Sequence, residues 1–163
     1  MFKFFQGIAI ILTFTIPTME LVEILVDGKS LDDDCLRCIC VASSECDDHV
    51  RCHTEGQDEY YCGPFQISRD YWTSSGAPGS DPKNPMDFEE CANNIHCAIK
   101  TVNQYLKLKQ EDCDRDGLIT CQDYALIHKF GPNKCAEKEL YERSTFWTRF
   151  DNCFSRENTT FSA

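Results

Sequence analysis

Residues 35–72 read CLRCICVASSECDDHVRCHTEGQDEYYCGPFQISRDYW, and the fold is decided in this stretch. It carries six of the chain's twelve cysteines, a cluster of acids, and the block Cys62-Gly63-Pro64-Phe65-Gln66-Ile67 followed by Tyr71-Trp72. Such cysteine density describes a small stapled domain, and any active cleft is expected here. Asp32-Asp33-Asp34 precedes an apolar-rich run, so Asp34 is the predicted N-cap of a helix whose dipole its neighbours complement. Leu36, Ile39, Cys40 and Ser43 recur three and four apart and give that helix a buried face. Asp47 to Tyr61 holds no sustained period, which predicts irregular chain or a short hairpin pinned by cysteines.

Upstream, Lys3 is followed by an apolar run through Ile8, Ile10, Ile11, Leu12 and Ile16 and then by Pro17-Thr18. This is the pattern of a secretory signal peptide over residues 1–19, with cleavage between Thr18 and Val26. The run, interrupted by Gln6, is shorter than the roughly 20 residues that span a bilayer. The predicted layout is a connector over 20–34, a single domain over 35–153 and a polar tail over 154–163, where Asn158-Thr159-Thr160 is a glycosylation sequon. All twelve cysteines follow the signal, so six disulfides are expected in an oxidising compartment. Cys35, Cys38 and Cys40 imitate a zinc knuckle, but no second C-x-x-C pair follows at finger spacing. Short separations favour Cys40 with Cys46, Cys52 with Cys62, and Cys91 with Cys97. Cys35, Cys38, Cys113, Cys121, Cys135 and Cys153 remain to join the ends of the domain, in an order that spacing leaves open.

A net charge of −11 and a pI near 4.7 exclude nucleic acid as a partner, and an anionic surface is approached against repulsion at neutral pH.

Downstream, residues 68–74 suit a short helix and residues 76–85 a surface loop. Phe88 to Leu108 reads as helix in one or two pieces, with Cys91, Ile95, Ala98, Val102, Tyr105 and Leu106 on its apolar stripe and Asn93-Asn94 as a break point. Residues 122–129 form another helix ended by Gly131-Pro132. A last amphipathic segment, 137–150, directs Leu140, Phe146, Trp147 and Phe150 inward before Cys153 staples the end.

Several ordered blocks carry a family resemblance. Cys35-Leu36-Arg37-Cys38-Ile39-Cys40, the Cys62 to Ile67 block with Tyr71-Trp72, Cys91-Ala92-Asn93, Cys97-Ala98, Thr101-Val102, Tyr105, and Asp123-Tyr124-Ala125 with His128 and Gly131-Pro132 resemble the invertebrate-type (i-type) lysozymes, which include destabilase. The resemblance implies a mostly α, lysozyme-like α+β fold, small and disulfide-rich, with a cleft for peptidoglycan and room for a short hairpin. It also implies a secreted muramidase in digestion or antibacterial defence, with no cofactor required.

Retaining glycoside hydrolysis needs a protonated carboxyl and a second carboxylate about 5 Å away. Where the family resemblance places the acid Glu, this chain has Ser43, and Glu45 stands where Gly is usual. A shift of two residues along a helix turns a side chain by about 200°, so Glu45 substitutes only if the helix breaks at Ser44. The resemblance places the second acid at Glu55, with Asp58 and Glu59 nearby. An isopeptidase activity, also known in the family, needs a serine near the second acid; residues 53–61 contain none, and Ser43 with His128 is the substitute pair. Losing a positioned acid forfeits about 10²- to 10⁴-fold in rate. Gln66, Tyr71, Trp72 and His128 are the candidate substrate-binding side chains, with Phe65 and Ile67 assigned to the core.

A second constellation is independent of the lysozyme resemblance. Residues 112–123, DCDRDGLITCQD, place acids at positions 1, 3, 5 and 12 of a twelve-residue loop, with Gly117 at the sharp turn. That is an EF-hand-like pattern for a structural Ca²⁺ held by Asp112, Asp114, Asp116, Asp123 and the Leu118 carbonyl. Thr120 with Asp123 equally makes a helix capping box. Two functional readings follow: a secreted muramidase acting on bacterial cell-wall glycan, or a catalytically inactive glycan- or partner-binding protein on the same frame.

Overall fold

A computed structural model describes residues 31, 33–56, 59–80 and 87–160, the last four without their side chains. The predicted signal peptide, most of the connector, Asp58 and the Asn158 side chain lie outside the described residues. Two helices form the base. α1 (Asp33–Ser44) buries Cys35, Leu36, Cys38, Ile39, Cys40 and Ala42. It packs most extensively on α7 (Thr145–Thr160), to which the Cys38–Cys153 disulfide staples it. The helix already includes Asp33, so Asp34 sits inside its first turn, 3.9 Å from Arg37, rather than capping it.

Cys40–Cys46, Cys52–Cys62 and Cys91–Cys97 are bonded as their short spacings favour. The open set resolves as Cys35–Cys121, Cys38–Cys153 and Cys113–Cys135, and no cysteine is free.

The weakly patterned segment forms β1 (His53–Glu55) and β2 (Glu59–Cys62), and a third short strand, β3 (Ile67–Ser68), completes an antiparallel sheet in the order β1-β2-β3. His53 pairs with Tyr61 and Cys62 with Ile67. The turn between β2 and β3 presses on α3 (Phe88–Asn93). Gly63 has φ 70°, and a Cβ there would fall 1.8 Å from the Ala92 carbonyl oxygen. Only glycine lets the sheet meet the helices this closely. Ser68 then caps α2 (Arg69–Ser74) by accepting from the Tyr71 N–H at 3.2 Å.

The long apolar stripe divides at Asn94, whose side chain accepts from the His96 and Cys97 N–H groups at 3.1 Å each and so starts α4 (Ile95–Leu108). Ala98, Thr101, Val102 and Leu106 of α4 are buried at the centre of the domain with Phe65, Phe88, Leu126, Ile127 and Phe150. Ile95, in the first turn of α4, is exposed instead of joining the stripe.

α5 (Cys121–Phe130) starts at the Thr120–Asp123 capping box and stops at Gly131, φ 73°. The segment 137–150 is not one helix: α6 (Lys138–Tyr141) ends before Ser144, whose hydroxyl accepts from the Trp147 N–H and restarts the chain as α7. The two pieces have independent phases. Phe146 and Phe150 face the core, whereas Leu140 is 42% exposed, against the sequence expectation. No helix among the described residues is long and apolar enough to cross a membrane.

Candidate active site

A cleft of about 310 Å³ opens between the hairpin and the helices. Ser43 enters it from the last turn of α1, Glu55 from the end of β1, Gln66 from the turn before β3, His128 and Lys129 from α5, and Phe146 and Arg149 from α7. Gln66 is held in the left-handed region, φ 53°, with its amide donating to the Gly63 carbonyl at 2.8 Å. That bond closes the turn and fixes the side chain at the rim.

His128 organises the helical wall. Its Nε2 lies 3.0 Å from the Phe65 carbonyl oxygen and 3.3 Å from Ser43 Oγ; its Nδ1 lies 3.0 Å from the Tyr71 hydroxyl. A carbonyl only accepts, so Nε2 carries the proton and Nδ1 accepts from Tyr71. Burial, opposed by the bond to Phe65 and assisted by the Lys129 charge, lowers the His128 pKa to about 4. The ring is therefore neutral over most of the physiological range.

The same proton count disposes of Ser43 as a nucleophile. Its hydroxyl donates to the Ile39 carbonyl at 2.8 Å, one turn back. Activation needs a deprotonated ring nitrogen facing the hydroxyl, and the nitrogen that faces Ser43 is the protonated one. The two side chains meet as predicted, but with proton directions wrong for attack.

Glu45 is not among the described residues that line the cleft. α1 ends before it, and Glu45 and Cys46 take φ 62° and 57°. This left-handed exit explains why glycine suits the position in the family pattern. It also carries Glu45 away from the cleft to pair with Arg149 at 3.1 Å on the exposed surface. Glu55 is then the only carboxylate among the described residues that line the cleft. Glu59 is exposed and accepts from the Tyr61 hydroxyl at 3.2 Å. Burial, followed by the Glu59 and Glu55 charges, pushes the Tyr61 pKa up to about 12, so Tyr61 remains a neutral donor on the hairpin wall.

Tyr71 and Trp72 do not line the cleft. Tyr71 stands behind His128 with its ring stacked on Tyr105 at 3.6 Å, and burial raises its pKa well above the ordinary value. The Trp72 indole donates to the Pro78 carbonyl at 3.0 Å and packs near Phe88. Both rings are drawn inward by apolar neighbours and serve the core. Sequence reasoning missed Tyr61, Lys129, Phe146 and Arg149. The lysine could have been suspected as the neighbour of His128, but the α7 residues reach the cleft only through the Cys38–Cys153 staple, which spacing left open.

The acidic loop is partly assembled. One carboxylate oxygen from each of Asp112, Asp114 and Asp116 lies within 4.8 Å of the others. The Gly117 N–H donates to Asp112 at 2.9 Å and holds its pKa below the usual carboxylate range. The Leu118 N–H donates to Asp116 at 2.8 Å, and the Leu118 side chain is exposed. Asp123 stands outside this group. Only 1% exposed, it accepts from the Cys113 N–H, the Thr120 N–H and the Thr120 hydroxyl at 2.8, 2.8 and 3.0 Å. The carboxylate expected to close a Ca²⁺ loop closes the backbone instead, which leaves three acids to offer a cation.

A helical, disulfide-stapled domain with a small sheet facing helices across a cleft is lysozyme-like in class. The sequence profile of the Destabilase family matches residues 32–153, and the chain belongs to that family, the i-type lysozymes. It is 35% identical over 121 residues to Lysozyme 1 of Crassostrea virginica, covering 73% of this chain and 58% of that protein. It is 36% identical over 108 residues to a lysozyme of Magallana gigas, covering 65% and 70% of the two chains. The crystal structure of Tapes japonica lysozyme superposes with a TM-score of 0.57 at 28% identity, over 75% of this chain and 89% of that one. Meretrix lusoria lysozyme, in complex with PliI of Aeromonas hydrophila, gives 0.59 at 28% identity, with the same 75% and 89% coverage.

Proposed function

We propose that this protein is a secreted, wall-glycan-binding member of the i-type lysozymes whose muramidase chemistry is largely lost. The observation that carries the reading is Ser43, at the family's acid position, locked between the Ile39 carbonyl and the protonated nitrogen of His128. Neither group can donate a proton to a glycosidic oxygen in the way a carboxylic acid does. Glu55 still supplies the second carboxylate, but protonation of the leaving group has no carboxyl partner among the described residues of the cleft.

What the cleft can do is bind. Glu55 and the Phe65 and Gln66 backbone offer acceptors, Lys129 and Arg149 offer donors, and Phe146 offers an apolar face, a set suited to N-acetylated sugars. The twelve cysteines and the predicted signal peptide support secretion. The test is lysis and co-sedimentation of purified bacterial walls from about pH 4 to 8. Wild type sediments with walls and lyses them poorly, whereas Ser43→Glu gains at least about 10²-fold in lysis. Efficient lysis by wild type would overturn the reading.

Binding requires no cofactor. A Ca²⁺ on Asp112, Asp114 and Asp116 would only brace the loop before α5, and three carboxylates place such a site at the weak end of the EF-hand range. Millimolar Ca²⁺ then raises the Tm and Asp114→Asn removes the rise, as thermal unfolding with and without chelator would report.

A further inference from the structure

Among the described residues, two cations line the cleft, Lys129 and Arg149, and they differ in standing. Arg149, on α7, is already committed to the Glu45 carboxylate at 3.1 Å. Lys129, on α5, is exposed, and its ammonium pairs with no carboxylate among the described residues. Its contact is with an aromatic face: Nζ stands 5.8 Å from the centroid of the Tyr61 ring on the hairpin wall. A ring face attracts a cation through its quadrupole but does not neutralise its charge.

This placement follows from helical position. His128 and Lys129 are consecutive on α5, so their side chains leave the helix about 100° apart. The ring of His128 turns into the wall and bonds to the Phe65 carbonyl, whereas Lys129 turns out over the cleft and reaches across to the sheet. That sheet also carries Glu55, which is exposed and has no paired cation among the described residues. Lys129 and Glu55 thus set two charges of opposite sign, unpaired with each other, in one cleft.

We propose that Lys129 is the specificity-determining residue of the cleft: its ammonium takes a carboxylate carried by alternate sugars of the glycan, while Glu55 accepts from the hydroxyl and amide groups of a neutral sugar. A carboxylate brought to Glu55 is repelled, so one register of an alternating strand is favoured over the other. The inference rests on the glycan-binding reading and adds to it that the cleft separates an acidic wall strand from a neutral N-acetylglucosamine polymer. It also gives a chain of net charge −11 a local attraction for an anionic wall. In wall glycan the carboxylate comes from the lactyl group of the acidic sugar or from the peptide joined through it. An ammonium, a compact point charge on a flexible stem, serves either.

The experiment measures binding of the full oxidised chain to four oligosaccharides of equal length by calorimetry. These are neutral N-acetylglucosamine, the alternating strand with free lactyl carboxylates, the same strand with those carboxylates amidated, and the strand bearing its peptides. Wild type should bind one or both acidic strands about tenfold tighter than the amidated strand, a ratio that shrinks at high salt. Lys129→Met should bring the ratio to about one, and Lys129→Arg should keep most of it. Lys107→Met removes the same charge from the exposed last turn of α4 and should leave the ratio unchanged. Equal wild-type affinity for the amidated and both acidic strands, or a preference that survives Lys129→Met, overturns the assignment; oligomer binding then keeps the glycan reading standing. Binding to none of the four, with no sedimentation on walls, overturns the glycan reading and this assignment together. The acidic strand whose gain depends on Lys129 names the source, lactyl group or peptide.

Discussion

The two walls of the cleft are built on different terms. The helical wall is cross-braced: His128 bonds to Phe65, Ser43 and Tyr71, and Tyr71 stacks on Tyr105. The hairpin wall is a three-residue strand whose burial pattern is exposed throughout, tied down at Cys52–Cys62. The cross-braced wall presents Ser43 to the cleft, and the open wall presents the carboxylate of Glu55. Ser43 thus sits in a fully hydrogen-bonded frame shared with Ile39, Phe65 and His128.

The strongest way to break this comparison is to restore the acid and then remove the survivor. If both walls are otherwise competent, Glu55→Gln introduced into Ser43→Glu returns lysis to the wild-type level, a loss on the order of 10²-fold or more. Lysis by Ser43→Glu that ignores Glu55 would show that the hairpin wall takes no part. Wall co-sedimentation should change far less, because Glu55 is one polar contact among several.

The helical wall can be sharpened by pH. The native state binds the His128 proton less readily than the unfolded chain, with a pKa near 4 against 6.5. Lowering the pH through this window therefore favours the unfolded chain, and stability contributed by the neutral ring is full above 6.5 and lost below 4. The shift amounts to an upper limit on the order of 3 kcal/mol. Denaturant unfolding of wild type and His128→Gln at pH 7 and pH 4 should show a clearly shallower pH dependence in the variant. Equal slopes would mean that the ring is not protected as its geometry implies.

The smallest effect belongs to the chain just outside the cleft. Glu45→Gly relieves a left-handed backbone worth about 1 kcal/mol and removes an exposed ion pair worth about 0 to 1 kcal/mol. Its net change in unfolding free energy should stay within about 1 kcal/mol, with lysis unchanged. A marked change in lysis on Glu45→Gln would return Glu45 to the active site.

Particular residues show why some of the site was legible in the sequence. Ser43 and Glu55 were located by motif frame, and both line the cleft. His128, taken from the sequence as a cleft residue, lines the cleft and is at the same time packed against aromatics. Tyr71 and Trp72 were misplaced because an aromatic next to a motif looks the same whether it faces a ligand or the core. Leu140 was misplaced because one amphipathic period was extended through a turn that restarts the phase at Ser144.

Local chemistry was determined by the sequence alone: the rough positions of most helices, the Thr120–Asp123 capping box, the three short disulfides, the break at Asn94 and the serine at position 43. These depend on residues a few positions apart, where spacing limits geometry. Tertiary structure decided the rest. It set the direction of the protons around His128, the departure of Glu45 from the cleft, and the use of Asp123 as a backbone brace. Each depends on partners brought together by long-range packing and by disulfides such as Cys38–Cys153, 115 residues apart, whose choice among the open pairings is made by the folded core.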